Sequence, residues 1–446
     1  MNDSIFDLKR IEAAGSEDLS AFAIKANGIV LTHLLREGEN VPDDWVHVPA
    51  IPLGFWLADH WWRLRWECRP PDGITADWRQ AHEFTSIGRG YAWPRVTLWG
   101  ESERIAIISR SDPAGVVGPV RFLQDALTFI DAPGYEASVD ALLSGISAIA
   151  TGDNRVALSA LIDALQTERS SKESSEWRRL EAMAGFDPDA APEELMQSLE
   201  VLTDRFSAGD IEEVVSAAPG VGAARTLDLV ISENPPSAFG EVSFDQAVAQ
   251  GREHLLDGGN EPWRLADSSA AILRAAVGGA NGPILNRRLA ELAGTSPSFL
   301  RTRSSNTHEL LPYGVRIRPE RGKETVLLRS RWGHDRRFEL MRALGDAIWS
   351  KLSPLGPISR AATARQKFQR GFAASILCPA AGLISFVGHE NPSDEDISAA
   401  ARHFHVSERV VRSVLVNKRL MDRQRLKLTL NYREGSQAIE ELADAA

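Results

Sequence analysis

Cysteine is almost missing from this chain: its 446 residues hold only Cys68 and Cys378. Two thiols so far apart exclude a disulfide framework and give no zinc-cluster spacing, a usage that fits a reducing compartment. Long apolar runs are missing too, and none approaches the roughly 20 residues needed to cross a bilayer. The opening MNDSIFDLKRIEAAGSED has neither the basic region nor the apolar stretch of a secretion signal. A cytoplasmic location with no membrane attachment is therefore expected. Gly88-Arg89-Gly90, Gly220-Val221-Gly222 and Gly278-Gly279 lack the residues that turn a glycine loop into a phosphate cradle, so no nucleotide site and no cofactor is expected.

What is present is an ordinary globular composition, 43% hydrophobic and 25% charged. The length suits two or three domains. The net charge of −11 is unevenly spread: residues 286–372 carry 18 Lys and Arg against 7 Asp and Glu. Arg316, Arg318, Arg329, Arg331, Arg336 and Arg337 are the candidates for binding a polyanion such as nucleic acid. The opposite reading has acidic helices of the same chain neutralising the segment, and no aromatics interleave the arginines to stack on bases. The sequence leaves both open.

The periodicity predicts an α+β, multidomain chain. Residues 1–118 form a Trp-rich α+β unit holding eight of the 12 tryptophans. Its strands are predicted at Gly28–Thr32, at Trp45–Val48 and in a hairpin over 96–108, with a helix from Phe55 to Cys68. Trp56 and His60 fall on one face of that helix with Arg63 and Glu67, while Trp62 and Trp66 lie near another. With His82 on a following segment they suggest either a polar ligand pocket or a core and interface anchored by tryptophan. Residues 119–240 are predicted helical, through FLQDALTFIDA, ASVDALLSGISAIAT, ALSALIDALQ, EWRRLEAMAGF and ELMQSLEVLTDRF, with 231–241 as a linker. A third domain spans 241–425, including strands VRIRP and ETVLLRS and a Pro/Gly-broken loop, SPLGPIS (353–359). An acidic tail follows over 426–446.

Within the third domain, residues 336–349 read RRFELMRALGDAIW. The run resembles the helix that carries HExxH in the ImmA/IrrE metallopeptidases. Phe338, Leu340, Leu344 and Gly345 stand in its frame positions. The flanks resemble the family as well: ETVLLRSRWGHDRRF (324–338), GFAASILCP (371–379), DEDISAAARHFHVSERVVRSVLVNKRL (394–420) and, upstream, EWRRLEAMAGFDPDAAPEEL (176–195). The resemblance implies a zincin-like fold for this domain and denies it the chemistry. HExxH places two histidines on one helix face around zinc, with a glutamate to activate water. Here the ligand positions hold Arg342 and Asp346, the base position holds Ala343, and the third-ligand position holds Gln366.

No catalytic residue and no metal are expected. Arg342 and Asp346, four apart, predict an ion pair on one helix face. His308, His334, His403 and His405 lack ligand spacing. The closing segment has helix-turn-helix spacing, with Ser393 and Ser407 as caps, and reads as a packed part of the domain or as a DNA reader. Together these features predict a catalytically inactive, peptidase-like regulatory or sensing protein that binds a protein partner, in stress, mobile-element or phage-defence control. The alternatives are nucleic-acid binding through 286–372 and the closing helices, or a peptidase with an unorthodox site.

Overall fold

The computed structural model describes residues 4–11, 19–36, 41–70, 73–101, 103–113, 115, 118–203, 206–217, 239–252, 262–301, 313–319, 323–350, 353–361 and 363–422. Over these residues the chain mixes helices with antiparallel sheets, the α+β class that the periodicity predicts. It divides into two compact units, Met1–Met196 and Gln197–Ala446.

In the first unit, β1 (Phe6–Arg10), β2 (Leu19–Ala26) and β3 (Ile29–Val30) are neighbours in one sheet. Phe6 pairs with Ile24, and Phe22 and Ile24 are fully buried. β4 (Leu34–Arg36) and β5 (Pro42–Asp43) begin a second sheet, and β6 (Val46–Pro49) returns to pair with β2. The expected single helix over 55–68 is two: α1 (Ala50–Asp59) and α2 (Trp61–Trp66), with His60 at φ −102° and ψ 11° between them. α3 (Ala76–His82) starts where the Thr75 side chain accepts the Trp78 amide, an ordinary N-cap. β7 (Val96–Glu101) and β8 (Arg104–Ser109) form the expected hairpin, in register from Val96 with Ser109 to Glu101 with Arg104.

FLQDALTFIDA is not helical. β9 (Val120–Phe122) pairs with β4, and β10 (Ala126–Asp131) pairs with β8 along its length. Thr128 and Ile130, two apart, are the buried residues of β10. So short an apolar run fits period two as well as helical spacing, and the available partner strand decides between them. Helices then appear where expected: α4 (Ala132–Ile149), α5 (Gly152–Ser170), α6 (Lys172–Met183) and α7 (Glu193–Thr203). α4, α5 and α6 are not a separate domain, because Tyr135, Ile146, Leu158 and Ala182 share one core with Phe22, Trp56 and Phe84. The division observed therefore differs from the boundaries expected at 118/119 and 240/241.

The second unit continues with α8 (Ala208–Ala217), β11 (Phe239–Val242), α9 (Asp245–Gly251), α10 (Pro262–Ala276) and α11 (Asn286–Leu292). β12 (Gly314–Ile317), β13 (Glu324–Leu327), α12 (Gly333–Trp349), β14 (Leu355–Ile358) and α13 (Ala364–Leu377) follow. The described chain closes with α14 (Ala380–Val387), α15 (Asp394–Phe404) and α16 (Glu408–Asn417). The sheet order is β11-β13-β12-β14, antiparallel throughout.

Two segments expected as linker and loop are its edge strands. Phe239–Val242, the end of the expected linker, pairs with β13, while residues 231–238 lie outside the described residues. SPLGPIS supplies β14, where Pro357 stands opposite Val315. An edge strand tolerates proline because one side of its backbone needs no donor. The expected tail at 426–446 and His308 also lie outside the described residues.

α12 is buried along most of its length, with Leu340, Ala343 and Leu344 at zero exposure. Gly345 is its close-approach point: a Cβ there would meet the Phe372 ring at 3.0 Å. Ser393 and Asp396 form a capping box at the start of α15. Cys378 is buried beside Arg274, and burial pushes its thiol up to about 12. No single described helix is long and apolar enough to cross a membrane.

A test of the first unit's packing lies at Gly100 in β7, where a Cβ would sit 2.1 Å from the backbone oxygen of Arg65. Gly100→Ala must push α2 away from the hairpin and is expected to lower stability by about 1–3 kcal/mol, the usual cost of overpacking. Chemical denaturation followed by tryptophan fluorescence would measure it.

Candidate functional site

The four positions that the resemblance assigns to metal and base lie together in the second unit. Arg342, Ala343 and Asp346 lie on α12, and Gln366 lies on the first turn of α13. Arg342 Nη2 donates to Gln366 Oε1 at 2.6 Å, to Gln369 Oε1 at 3.1 Å and to the Ser359 carbonyl. The ion pair with Asp346 that the i,i+4 spacing predicts is not formed. Asp346 is bound from other elements: Arg365 Nε on α13 donates to Oδ1 at 2.7 Å, and Arg316 Nε on β12 donates to Oδ2 at 2.8 Å. Gln369 Nε2 donates to Oδ1 as well. The local pair loses to two guanidinium groups that reach the carboxylate in better geometry.

The cluster extends to α8. Asp210 accepts from Arg365 Nη1 at 2.9 Å and from the Ser353 hydroxyl, and Glu213 accepts from Gln366 Nε2 at 2.9 Å. Glu324 on β13 accepts from Arg316 Nη1. Asp346, Arg316, Gln366 and Gln369 have no solvent exposure, and Arg342 and Arg365 have 7% and 5%. Burial by itself would raise the Asp346 carboxyl, but Arg365 and Arg316 outweigh it and hold the group below the ordinary carboxylate range. Burial raises Glu213, against the pull of Arg365. Burial also pushes the Arg342 guanidinium down to about 9, with Arg370 adding to the fall.

This arrangement does not fit a zinc ion. A guanidinium has no lone pair to offer, alanine has no donor, and a neutral amide is a poor ligand beside carboxylate or imidazole. The Asp346 oxygens already accept four hydrogen bonds. Among the described residues no three His, Cys, Asp or Glu side chains are grouped as a ligand set. The geometry leaves no room either: a Cβ on Gly356 of β14 would lie 1.8 Å from Asp346 Oδ2. The cluster is a closed polar core, not a cleft.

The polyanion candidates are split by burial. Arg316 is enclosed in the cluster just described. Arg336 and Arg337, each 4% exposed, donate inward: Arg336 to the carbonyls of Leu328, Ser330 and Phe299, and Arg337 to Ile284 O and Asn286 Oδ1. Arg318 is 3.6 Å from Asp245, Arg329 is half-buried and Arg331 is exposed. No continuous cationic stripe joins the six, since three serve acceptors inside the unit.

In the first unit the Trp-rich face also divides. Trp56 and His60 line a hollow of about 530 Å³ with Ile51, Phe55 and Asp59, and His60 Nδ1 lies 3.2 Å from Asp187. Trp62 Nε1 donates to Glu168, and Trp66 lies against the guanidinium groups of Arg65 and Arg179. His82 is fully buried between Leu98 O at 2.6 Å and Glu67 Oε2 at 2.9 Å, and Arg63 Nε donates to the same Glu67 oxygen. Glu67 and His82 therefore belong to a satisfied core and not to a ligand pocket.

Asp210, Glu213, Ser353, Gly356, Arg365 and Gln369 are cluster members that the sequence reading did not select. One local signal existed: Arg365, Gln366 and Gln369 interrupt the apolar face of α13, set by Phe368, Phe372 and Ile376, at one-, three- and four-residue steps.

Asp346→Asn is expected to lower stability by about 3–5 kcal/mol, because it leaves buried guanidinium groups short of a counter-charge. Since the folded carboxyl lies below its unfolded value, its contribution is full above the unfolded pKa and is lost as pH falls through the folded one. The second unit should therefore lose stability as pH drops below roughly 4, and this loss should shrink in the Asn variant. Thermal unfolding of both chains across that range checks both expectations.

Searches against family models, curated proteins and solved structures return no match to this chain.

Proposed function

We propose that the Gln197–Ala446 unit is a peptidase-like module of ImmA/IrrE type, zincin-like in fold, that no longer cuts. On this reading the protein regulates or senses by binding a protein partner, in stress, mobile-element or phage-defence control. One observation carries the reading. The four positions assigned to ligands and base by the resemblance lie side by side on two packed helices, and the groups there bind one another or other protein groups. Three of the positions are neighbours on α12 by their spacing alone; the independent observation is that α13 brings Gln366 into contact with Arg342.

The order of elements supports the same reading. A helix bearing three of the positions lies against an antiparallel sheet, and the next helix bears the fourth. The Gly345 close approach to Phe372 explains why the frame glycine is kept when the chemistry is not. A regulatory role follows by elimination of the cut: a retained scaffold with a filled centre keeps its surface and loses its reaction. Direct nucleic-acid binding draws less support, because half of its candidate arginines are internal.

Full-length protein purified from zinc-supplemented medium should hold zinc far below one ion per chain by inductively coupled plasma mass spectrometry. Stoichiometric zinc, together with chelator-sensitive cleavage of a peptide, would overturn the reading.

A further inference from the structure

The start of α12 borders an open groove of about 1080 Å³, also lined by residues of α15 and α16. Its lining holds one carboxylate, Glu408, against the cations Arg337 and Arg402 and the imidazoles of His334 and His405. Arg337, 4% exposed, gives its Nη groups only to neutral acceptors, Asn286 Oδ1 and Ile284 O. Its Nε has no acceptor among the described residues, and no carboxylate there pairs with it. Burial alone pushes it down to about 10. A buried cation left in this state costs free energy that an incoming anion would relieve. His334, Arg402 and His405 also line the groove, and His405 is held down by burial and by Arg337 and His403.

Two helix N-termini open onto the same space. α12 begins at Gly333 behind Trp332, and α16 begins at Glu408 behind Ser407; neither capping residue's side chain accepts a first-turn amide. Each end carries roughly half a positive charge. Each end also carries one acid in its first turn, Asp335 and Glu408, which offsets part of this charge. Glu408 is taken by Ser398 and by Arg412, and Asp335 lies 3.4 Å from His334.

The groove is also apolar in places. Leu285 lines it at 62% exposure, and Trp332, also 62% exposed, directly precedes Gly333. Val406 and Ala401 add to this surface. Tryptophan and arginine are the residues from which protein interfaces draw most of their affinity, and an exposed leucine beside them adds apolar area. Phosphate polymers are met instead by stripes of Lys and Arg.

We propose that this groove binds an acidic peptide segment of a protein partner. Its carboxylates meet Arg337, Arg402 and the two helix ends, and an apolar side chain sits against Leu285 and Trp332. The assignment rests on the partner-binding reading above, and not on the loss of the metal centre.

The test uses the full chain and a fluorescein-labelled peptide of alternating Glu and Leu, followed by fluorescence anisotropy at low salt. The expected result is binding that weakens with added salt and is at least tenfold weaker for the Gln-Leu counterpart. Arg402→Glu, at an exposed position, should weaken binding about tenfold, the equivalent of roughly 1.4 kcal/mol, in a chain that circular dichroism shows still folded; Arg337→Gln should weaken it too. No binding up to about millimolar peptide, equal binding of the Gln-Leu peptide, or indifference to Arg402→Glu would each overturn the proposal. Tighter binding of a mixed-sequence DNA duplex than of the acidic peptide would also overturn it. The mass of the recovered peptide separates the two readings. An intact peptide agrees with a centre that does not cut, while an Arg402-dependent complex whose peptide is cleaved keeps the groove and removes that reading.

Discussion

A carboxylate with no solvent exposure must be answered by cations inside the protein, and Asp346 is answered by two. Neither comes from its own helix. Arg316 arrives from β12 and Arg365 from α13, so the ion cluster holds the sheet, the central helix and the following helix in one arrangement. α8 joins through Asp210 and Glu213. Such a cluster contributes little as a sum of pairs, because desolvation offsets attraction. Its members are tied together all the same: a packing that separates these elements leaves a charge buried and unmet.

The same economy governs other arginines of the second unit. Arg252, Arg274, Arg336 and Arg337 donate to backbone carbonyls at helix ends and loops, groups that burial would otherwise leave without donors. Part of the positive charge in 286–372, Arg316, Arg336, Arg337, Arg342 and Arg365, is therefore spent on internal wiring. Arg287, Arg288, Lys323 and Arg331 of the segment stay exposed, so the internal use is partial.

How much of this could be read in advance follows from how local each cause is. The 96–108 hairpin, the helices from residue 132 onward and the Ser393 cap rest on short-range patterns, and they are legible. The apolar frame of α12 is legible for the same reason, since its spacing records a buried face. FLQDALTFIDA and SPLGPIS misled because pairing partners far away in sequence, β8 and β12, override their local preferences. The partners of Arg342 and Asp346 were out of reach in kind. A four-residue spacing names a neighbour, but only tertiary packing brings in Arg316, Arg365 and Asp210. Burial also divided the arginines of 286–372, which look alike in the sequence.

The scarcity of cysteine has a practical consequence. One thiol falls in each unit: Cys68, half-buried, in Met1–Met196, and Cys378, fully enclosed, in Gln197–Ala446. Only a thiolate reacts readily with an alkylating reagent, and Cys378 is both walled off and held in its protonated form. Its modification therefore requires the second unit to open. The chain thus carries a clock for the second unit, whose rate counts excursions from the closed fold, and beside it a differently placed thiol in the first.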